Sequence, residues 1–148
     1  MNQAVSFARS RNRCLERFLT LSIDFLLFLQ SQTTTTLDQE LRRFEGDRDA
    51  TLRALDLFER KLREEGASLA TAGRPSPELA QELKLQLQRR DDIVHRILDT
   101  DLQIMSRIEQ LKNGLLKDLN QSRVAKERLG KFKSGANNAS GSGLDHKI

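Results

Sequence analysis

The spacing of apolar residues is the feature that most constrains how this chain can fold. Over most of its length one apolar residue follows another after three or four positions, which is the periodicity of a helix that buries one face in a coiled coil. Charged residues make up 31% of the chain and aromatic residues 5%, with no Trp and no Tyr. This composition fits long helices better than a sheet, and the sequence therefore predicts an all-α protein.

The apolar positions form three runs, which predict helices at about residues 3–32, 37–66 and 77–132. The third run is about as long as the first two laid end to end. We therefore expect an elongated antiparallel helical hairpin or coiled coil, in which the first two segments run outward and the third runs back. This would be a single domain over residues 1–133, since each apolar face is too narrow to be stable alone.

The expected core positions follow each other after three or four residues, with longer gaps in the third run. They are Ala4, Phe7, Arg11, Cys14, Phe18, Leu21, Phe25 and Phe28 in the first run; Leu37, Leu41, Phe44, Arg48, Leu52, Leu55, Phe58 and Leu62 in the second; and Leu83, Leu87, Val94, Ile97, Ile104, Ile108, Leu111, Leu115 and Leu119 in the third.

Local sequence signals predict where the helices are interrupted. Four consecutive threonines at 33–36 disfavour helix because their side chains are β-branched, although a helix that continues through them is an alternative. Thr36 and Gln39 fit a capping box at the start of the second helix. Small residues, glycines and a proline at 66–76 predict a reversal, after which Ser76 fits the N-cap of the third helix.

The net charge is concentrated near the C-terminus. Residues 117–133 hold six bases and two acids, a net charge of +4 that equals the net charge of the whole chain. Lys126, Arg128 and Lys131 represent this basic patch. A cationic helix end also complements the helix dipole. Nucleic acid is the poorer interpretation of the patch, since no recognition motif is present and one aromatic residue offers little base stacking. An acidic protein is the expected partner.

Residues that could carry catalysis lack the surroundings that catalysis needs. Asp91, Asp92, Asp99 and Asp101 lie among arginines on one helix, where surface ion pairs are expected, and a slender coiled coil offers no pocket to perturb their pKa values. His95 has no second ligand at metal-binding spacing. A lone cysteine at a core position is expected to pack as a small apolar side chain. We predict no enzyme activity, no cofactor and no metal site.

The first predicted helix carries more apolar residues than one seam can use. The residues outside its seam are Leu15, Leu19, Ile23, Leu26, Leu27 and Leu29. A two-stranded hairpin cannot cover both sets, and exposed apolar patches of this kind mark interfaces. A third helix or a second copy of the chain would cover them in one interpretation. In the other they bind a protein partner.

The start of the chain predicts a cytoplasmic location. Four arginines at positions 9–17 interrupt any early apolar run, so no secretory signal is expected. The apolar stretch at 15–29 contains charged residues and is shorter than the ~20 residues of a membrane span. The Gly/Ser/Asn-rich residues 134–148 are predicted to be a disordered tail.

The layout of the chain resembles that of the FlgN/FliT-type flagellar type III export chaperones. An apolar first helix is followed by a charged helix, a small-residue turn and a long last helix over residues 10–133. The residues that carry the resemblance are Phe44, Arg48, Asp49, Leu52, Asp101, Ile104, Ile108, Lys112, Leu115, Arg128 and Phe132.

Membership of that family would imply a small helical protein of the bacterial cytoplasm that holds an exported flagellar subunit before secretion. Its partner would be that subunit or a component of the export apparatus. The alternative function is a structural coiled-coil adaptor or self-assembling protein without a client. A homodimer is compatible with both.

Overall fold

The structure is a computed structural model that describes residues 2–31 and 36–139, with side chains described as far as residue 131. In this part of the chain there are three helices and no strand: α1 (Gln3–Gln30), α2 (Leu37–Ala72) and α3 (Pro77–Ala139). The predicted all-α class with three helical segments is confirmed.

One of the two predicted N-caps is confirmed and the other is wrong. The hydroxyl oxygen of Ser76 accepts a hydrogen bond from the N–H of Leu79 at 3.2 Å, as expected at the start of α3. Thr36 precedes α2, but its side chain makes no capping hydrogen bond. The capping box with Gln39 is therefore not formed. The carbonyl of Thr36 instead accepts the N–H of Glu40 at 3.0 Å, which starts the helix through the backbone alone.

Two helices continue past their predicted ends. α2 passes through Gly66 to Ala72, because an isolated glycine costs only about 1 kcal/mol in a helix interior and several alanines follow it. It stops at Gly73, whose φ of 100° favours glycine. α3 continues to Ala139, so residues 134–139 are helical and not part of a disordered tail. Residues 140–148 of the predicted tail lie outside the described residues.

The chain forms two compact units, which we call the bundle unit (Met1–Arg107) and the C-terminal unit (Ile108–Ile148). The boundary falls within α3, so this one helix contributes to both units. The bundle unit contains α1, α2 and the first part of α3.

α2 runs antiparallel to α1 in the bundle unit. Phe25, near the end of α1, stacks on Phe44, near the start of α2, with ring centroids 4.2 Å apart. Arg11, earlier in α1, lies 3.9 Å from Glu59, later in α2. α1 and α2 therefore run in opposite directions, and the expectation that the first two segments lie end to end is wrong.

α3 runs parallel to α1 within the same unit. Arg9 forms an ion pair with Glu82 at 2.8 Å, and Nε of Arg107 donates to the carbonyl of Leu29 at 3.1 Å. Residue numbers thus rise together along the two helices. The bundle is up-down-up, and the predicted antiparallel packing holds for α2 against α1. Since α3 runs parallel to α1 and α2 runs opposite to α1, α2 is also antiparallel to α3.

The core lies between α1 and α3, with side chains of α2 packed against it. Leu15, Phe18 and Leu19 of α1 form one buried cluster with Ile93 and Ile97 of α3. Leu15, Phe18 and Leu19 are three and four positions apart, so they share one side of α1. This helix is rich in apolar residues on more than one side because it has two neighbours.

The buried face of α1 is shifted from the predicted seam. Ala4, Arg11, Phe18 and Phe25 are buried as expected, but Phe7, Cys14, Leu21 and Phe28 are only half-buried. Two sets of positions on this helix have the same spacing, so the spacing alone does not predict which set is buried. The residues buried in their place are Val5, Ala8, Asn12, Leu15, Leu19, Ser22 and Leu29.

Candidate protein-binding face

The apolar residues of α1 that were assigned to a partner are mostly core. Leu15, Leu19 and Leu29 are buried, with Leu29 only 2% exposed. Ile23 packs against the core cluster. The assignment of these residues to a partner is wrong, and the interpretation in which a third helix covers them is correct.

Two members of the same set remain nearer the surface. Leu26 is half-buried and Leu27 is 58% exposed. A single exposed leucine beside a half-buried one is common on protein surfaces and does not form an interface by itself. α1 therefore does not supply the partner face that its sequence suggested.

A large exposed apolar face instead lies on α3 in the C-terminal unit. Its side chains include Leu119, which is 65% exposed, and Leu129, which is 62% exposed. Every described side chain from residue 112 to residue 129 is exposed. The exposed apolar residues that share this side of the helix are Ile108, Leu115, Leu116, Leu119 and Leu129, within an arc of about 140° at 3.6 residues per turn. We call this set the α3 apolar face.

Polar and basic side chains accompany the α3 apolar face. A shallow groove along the helix contains Leu116 and Val124 together with Lys117 and Arg128, and side-chain amides such as that of Asn120. Amides and cations beside aliphatic side chains can bind a polar or acidic rim around an apolar strip. The groove therefore suits a protein surface better than a small apolar ligand.

The predicted basic patch is exposed on the same helix. Lys126, Arg128 and Lys131 all lie at the surface, and in the described part of the chain none of them forms an ion pair. Free cationic side chains at the rim of an apolar face raise the rate of association with acidic partners and add specificity. These cationic side chains lie on the same helix as the α3 apolar face, and their role as a partner-binding patch stays a prediction.

The length of α3 relative to the other two helices was a signal for this face. α3 has 63 residues, whereas α1 has 28 and α2 has 36. The shorter helices cannot cover α3 along its whole length at 1.5 Å per residue. Apolar residues near the end of such a helix are therefore expected to lack a neighbour within the chain.

Another exposed apolar strip lies on α3 in the bundle unit. Leu98 is 55% exposed, Leu102 is 65% exposed and Met105 is 66% exposed. These residues follow each other after four and three positions, so they share one side of the helix. Sequence reasoning missed them because they lie outside the predicted seam.

Arg48 and Asp101 connect α2 to α3. The guanidinium of Arg48 donates to both oxygens of the Asp101 carboxylate, at 2.8 and 3.4 Å. The same guanidinium lies 4.5 Å from the ring centroid of Phe18 and 5.6 Å from that of Phe44. This ion pair joins all three helices, with α2 antiparallel to α3, and its role is structural. The sequence placed Arg48 at a core position but did not identify its partner.

Polar groups buried between α1 and its neighbours are also paired. Nδ2 of Asn12 donates to the carbonyl of Gln86 at 2.9 Å and to its side-chain oxygen at 3.0 Å. Burial lowers the pKa of the Arg11 guanidinium, and the nearby Glu59 carboxylate opposes that shift. In the described residues no buried side-chain nitrogen or oxygen lacks a hydrogen-bond partner. These groups therefore fix the register of the helices and offer no reactive centre.

The carboxylates and the histidine considered for catalysis do not assemble into a site. Asp101 is paired with Arg48 and Asp91 with Arg90, while Asp99 and His95 are exposed. Among the residues that the structure describes, no three His, Cys, Asp or Glu side chains come together in a way that could hold a metal ion.

Cys14 is half-buried and reduced. Burial raises the pKa of its thiol, against the opposing effect of Arg13 and Arg17. A raised thiol pKa lowers the thiolate fraction at neutral pH, and the thiolate is the nucleophile. The environment of Cys14 thus disfavours reactivity, although the thiol is half-buried and not in the core that its position in the sequence predicted.

Comparison with known proteins gives no assignment for the chain. No protein-family model, no curated protein and no solved structure matches it significantly. None of the helices in the described residues is both long and apolar enough to cross a membrane.

Proposed function

We propose that the protein is a cytoplasmic chaperone that holds an exported flagellar subunit before type III secretion. The observation that carries the proposal is the α3 apolar face, which leaves Leu119 and Leu129 largely in contact with water. Exposed apolar faces of this extent on a helix suit an amphipathic helical segment of another protein. The flagellar client is supported by the resemblance in layout alone.

The first part of α3 belongs to the bundle unit. The three helices of this unit share a core and a half-buried ion pair, so α3 is held by packing over its first part. The last part of α3 remains available for a client. Polar amides and the basic patch at Lys126, Arg128 and Lys131 would meet the client's polar or acidic rim.

The second candidate function is a structural coiled-coil adaptor or self-assembling protein. The same exposed leucines favour it, because a second copy of the chain could cover them. The two candidates differ in whether a separate client completes the assembly. A chaperone binds a separate client with defined stoichiometry, whereas a self-assembling protein forms its final complex without one.

The test is client capture in cells that make flagella, using the tagged full-length chain. Changing Leu115 and Leu119 to serine should weaken client binding by at least about tenfold, since full burial of a leucine side chain contributes on the order of 1.5–3 kcal/mol. Leu27→Ser on α1 is the matched control, since Leu27 is similarly exposed. Mass spectrometry of the captured proteins and titration of the purified client would measure the effect.

Export provides the second readout. Deletion of the gene should lower the amount of one secreted flagellar subunit, and the Leu115/Leu119 variant should reproduce that loss while Leu27→Ser does not. Normal secretion of every flagellar subunit in the deletion strain would contradict the chaperone proposal. Tight, sequence-dependent binding of nucleic acid by the purified protein would contradict the assignment of the basic patch to an acidic protein.

A further inference from the structure

A groove with an aromatic floor lies between the end of α1 and the start of α2. Phe25 stacks on Phe44 with centroids 4.2 Å apart and on Phe28 with centroids 6.2 Å apart. Phe28 and Leu21 line the groove and are only half-buried. The floor therefore keeps apolar surface in contact with water.

The rim of this groove is acidic. Asp24, Glu40 and Asp47 line it, against one base, Arg43. Within the described residues none of these four side chains takes part in an ion pair. Three unpaired carboxylates around an apolar floor attract cationic side chains through their charge. We call this the α1–α2 groove.

The complementary surface is carried by the same chain. The C-terminal unit has eight Lys and Arg residues against four Asp and Glu residues, while the bundle unit has seventeen of each sign. The excess positive charge of the protein thus lies wholly in the C-terminal unit. On α3 the exposed Leu129 is flanked by Lys126 and Arg128, which are exposed as well.

We propose that the basic end of α3 from one copy docks in the α1–α2 groove of a second copy. Aliphatic side chains such as Leu129 would cover the aromatic floor. Lys126 and Arg128 would pair with the carboxylates of Asp24 and Asp47. A contact between two different surfaces of identical chains is heterologous, so it can close into a ring or continue as a chain of copies.

This self-association goes beyond client binding and needs no client. It also uses a part of the α3 apolar face, so a client that binds there would displace the second copy. Purified protein alone is sufficient to test it, and the result is independent of whether the client is a flagellar subunit.

The experiment is sedimentation of the full-length chain over a range of concentrations at low and high salt. The average mass should rise above the 16.9 kDa of one chain as concentration increases. Salt should weaken the association, because exposed charge pairs are screened over about 8 Å at physiological ionic strength. Two variants then separate the surfaces: Asp24→Lys with Asp47→Lys in the groove, and Lys126→Glu with Arg128→Glu on α3.

Each variant alone should associate at least about tenfold more weakly than the unchanged protein, since attraction becomes repulsion at two charge pairs. An equal mixture of the two variants should regain association, because each then offers the charge that the other needs. The control that matches the groove variant is Glu64→Lys with Asp92→Lys. It changes the net charge by the same amount as the groove variant, at exposed carboxylates outside the groove. It should associate like the unchanged protein.

Three results would overturn the proposal. One is a single-chain mass at every concentration up to about 1 mM, the weak limit of specific binding. Another is association that both charge reversals leave intact. The third is equal weakening by the control, which would make the effect one of net charge. Helix content measured by circular dichroism on every variant shows that the fold is preserved.

Discussion

The bundle unit and the C-terminal unit use apolar residues of the same kind to opposite effect. Both include part of α3, and in both the apolar residues recur at helical spacing. In the bundle unit Ile93, Ile97 and Ile104 are buried, whereas in the C-terminal unit Leu119 and Leu129 are exposed. Helical spacing thus indicates a face that requires a neighbour, but it does not say whether that neighbour belongs to the same chain.

The polar residues differ between the units in a matching way. The bundle unit pairs its buried and half-buried polar groups, as buried Asn12 does with Gln86 and half-buried Arg48 with Asp101. In the C-terminal unit the described Lys and Arg side chains are exposed and form no ion pair. The first pattern fixes one arrangement of helices, and the second leaves charge available for a partner.

The comparison predicts its largest difference in hydrogen exchange. Backbone amides in the middle of α1 are expected to open only with global unfolding, at a cost of about 5–15 kcal/mol. Amides at residues 112–129 belong to a helix whose described side chains are all exposed, and such a segment opens locally at little cost. We expect exchange there to be at least about 10³-fold faster, measured by mass spectrometry on the purified protein.

A bound partner should reduce this difference in hydrogen exchange. Addition of a client, or a protein concentration high enough for self-association, should slow hydrogen exchange at residues 112–129. Hydrogen exchange in the middle of α1 should stay unchanged. Equal protection of the two regions in a protein that sediments as a single chain would contradict the division between the units.

The next effect is a difference between two leucine truncations. Leu29→Ala removes a side chain that is 2% exposed in the bundle unit, and such truncations lower the free energy of unfolding by about 2–5 kcal/mol. Leu119→Ala removes one that is 65% exposed and should change stability by less than about 0.5 kcal/mol. Urea unfolding followed by circular dichroism measures both.

The reverse order is expected for binding. Leu119→Ala should weaken partner association, whereas Leu29→Ala should affect association only through the folded fraction. A large loss of stability from Leu119→Ala would mean that this leucine is buried in the isolated protein, and the α3 apolar face would then be core.

The sequence predicted the fold class well because helical periodicity is a local property. The three segments, the reversal before Ser76 and the break near the threonines all follow from residues close in the chain. The direction of α2 does not, because it depends on which faces meet. Phe25 can stack on Phe44 only if α2 runs back along α1. The residues next to Phe25 and Phe44 in the sequence do not determine that direction.

The candidate site was harder to predict for the same reason. Leu19 and Leu119 occur in similar helical patterns, yet one is buried and the other is 65% exposed. Their difference comes from the number of neighbouring helices, which is a long-range property. The lengths of the predicted helices indicated part of this difference, since the third helix is longer than either of the others.

The smallest expected effect concerns the pH dependence of the bundle unit. Hydrogen bonds from Arg9 and Gln86 lower the pKa of the Glu82 carboxyl. Because the folded state holds this proton less tightly than the unfolded chain, the stabilisation is fully present above the unfolded pKa of about 4.3. It is lost as pH falls through the lower pKa of the folded state. Glu82→Gln should therefore show a smaller loss of stability than the unchanged protein between about pH 5 and the acid transition.

The matched control is Glu127→Gln, at an exposed carboxylate that makes no hydrogen bond in the described part of the chain. Its acid transition should follow that of the unchanged protein, with thermal unfolding at several pH values as the measurement. If Glu82→Gln and Glu127→Gln gave the same pH dependence, the contact between Arg9 and Glu82 would contribute nothing to holding α3 parallel to α1.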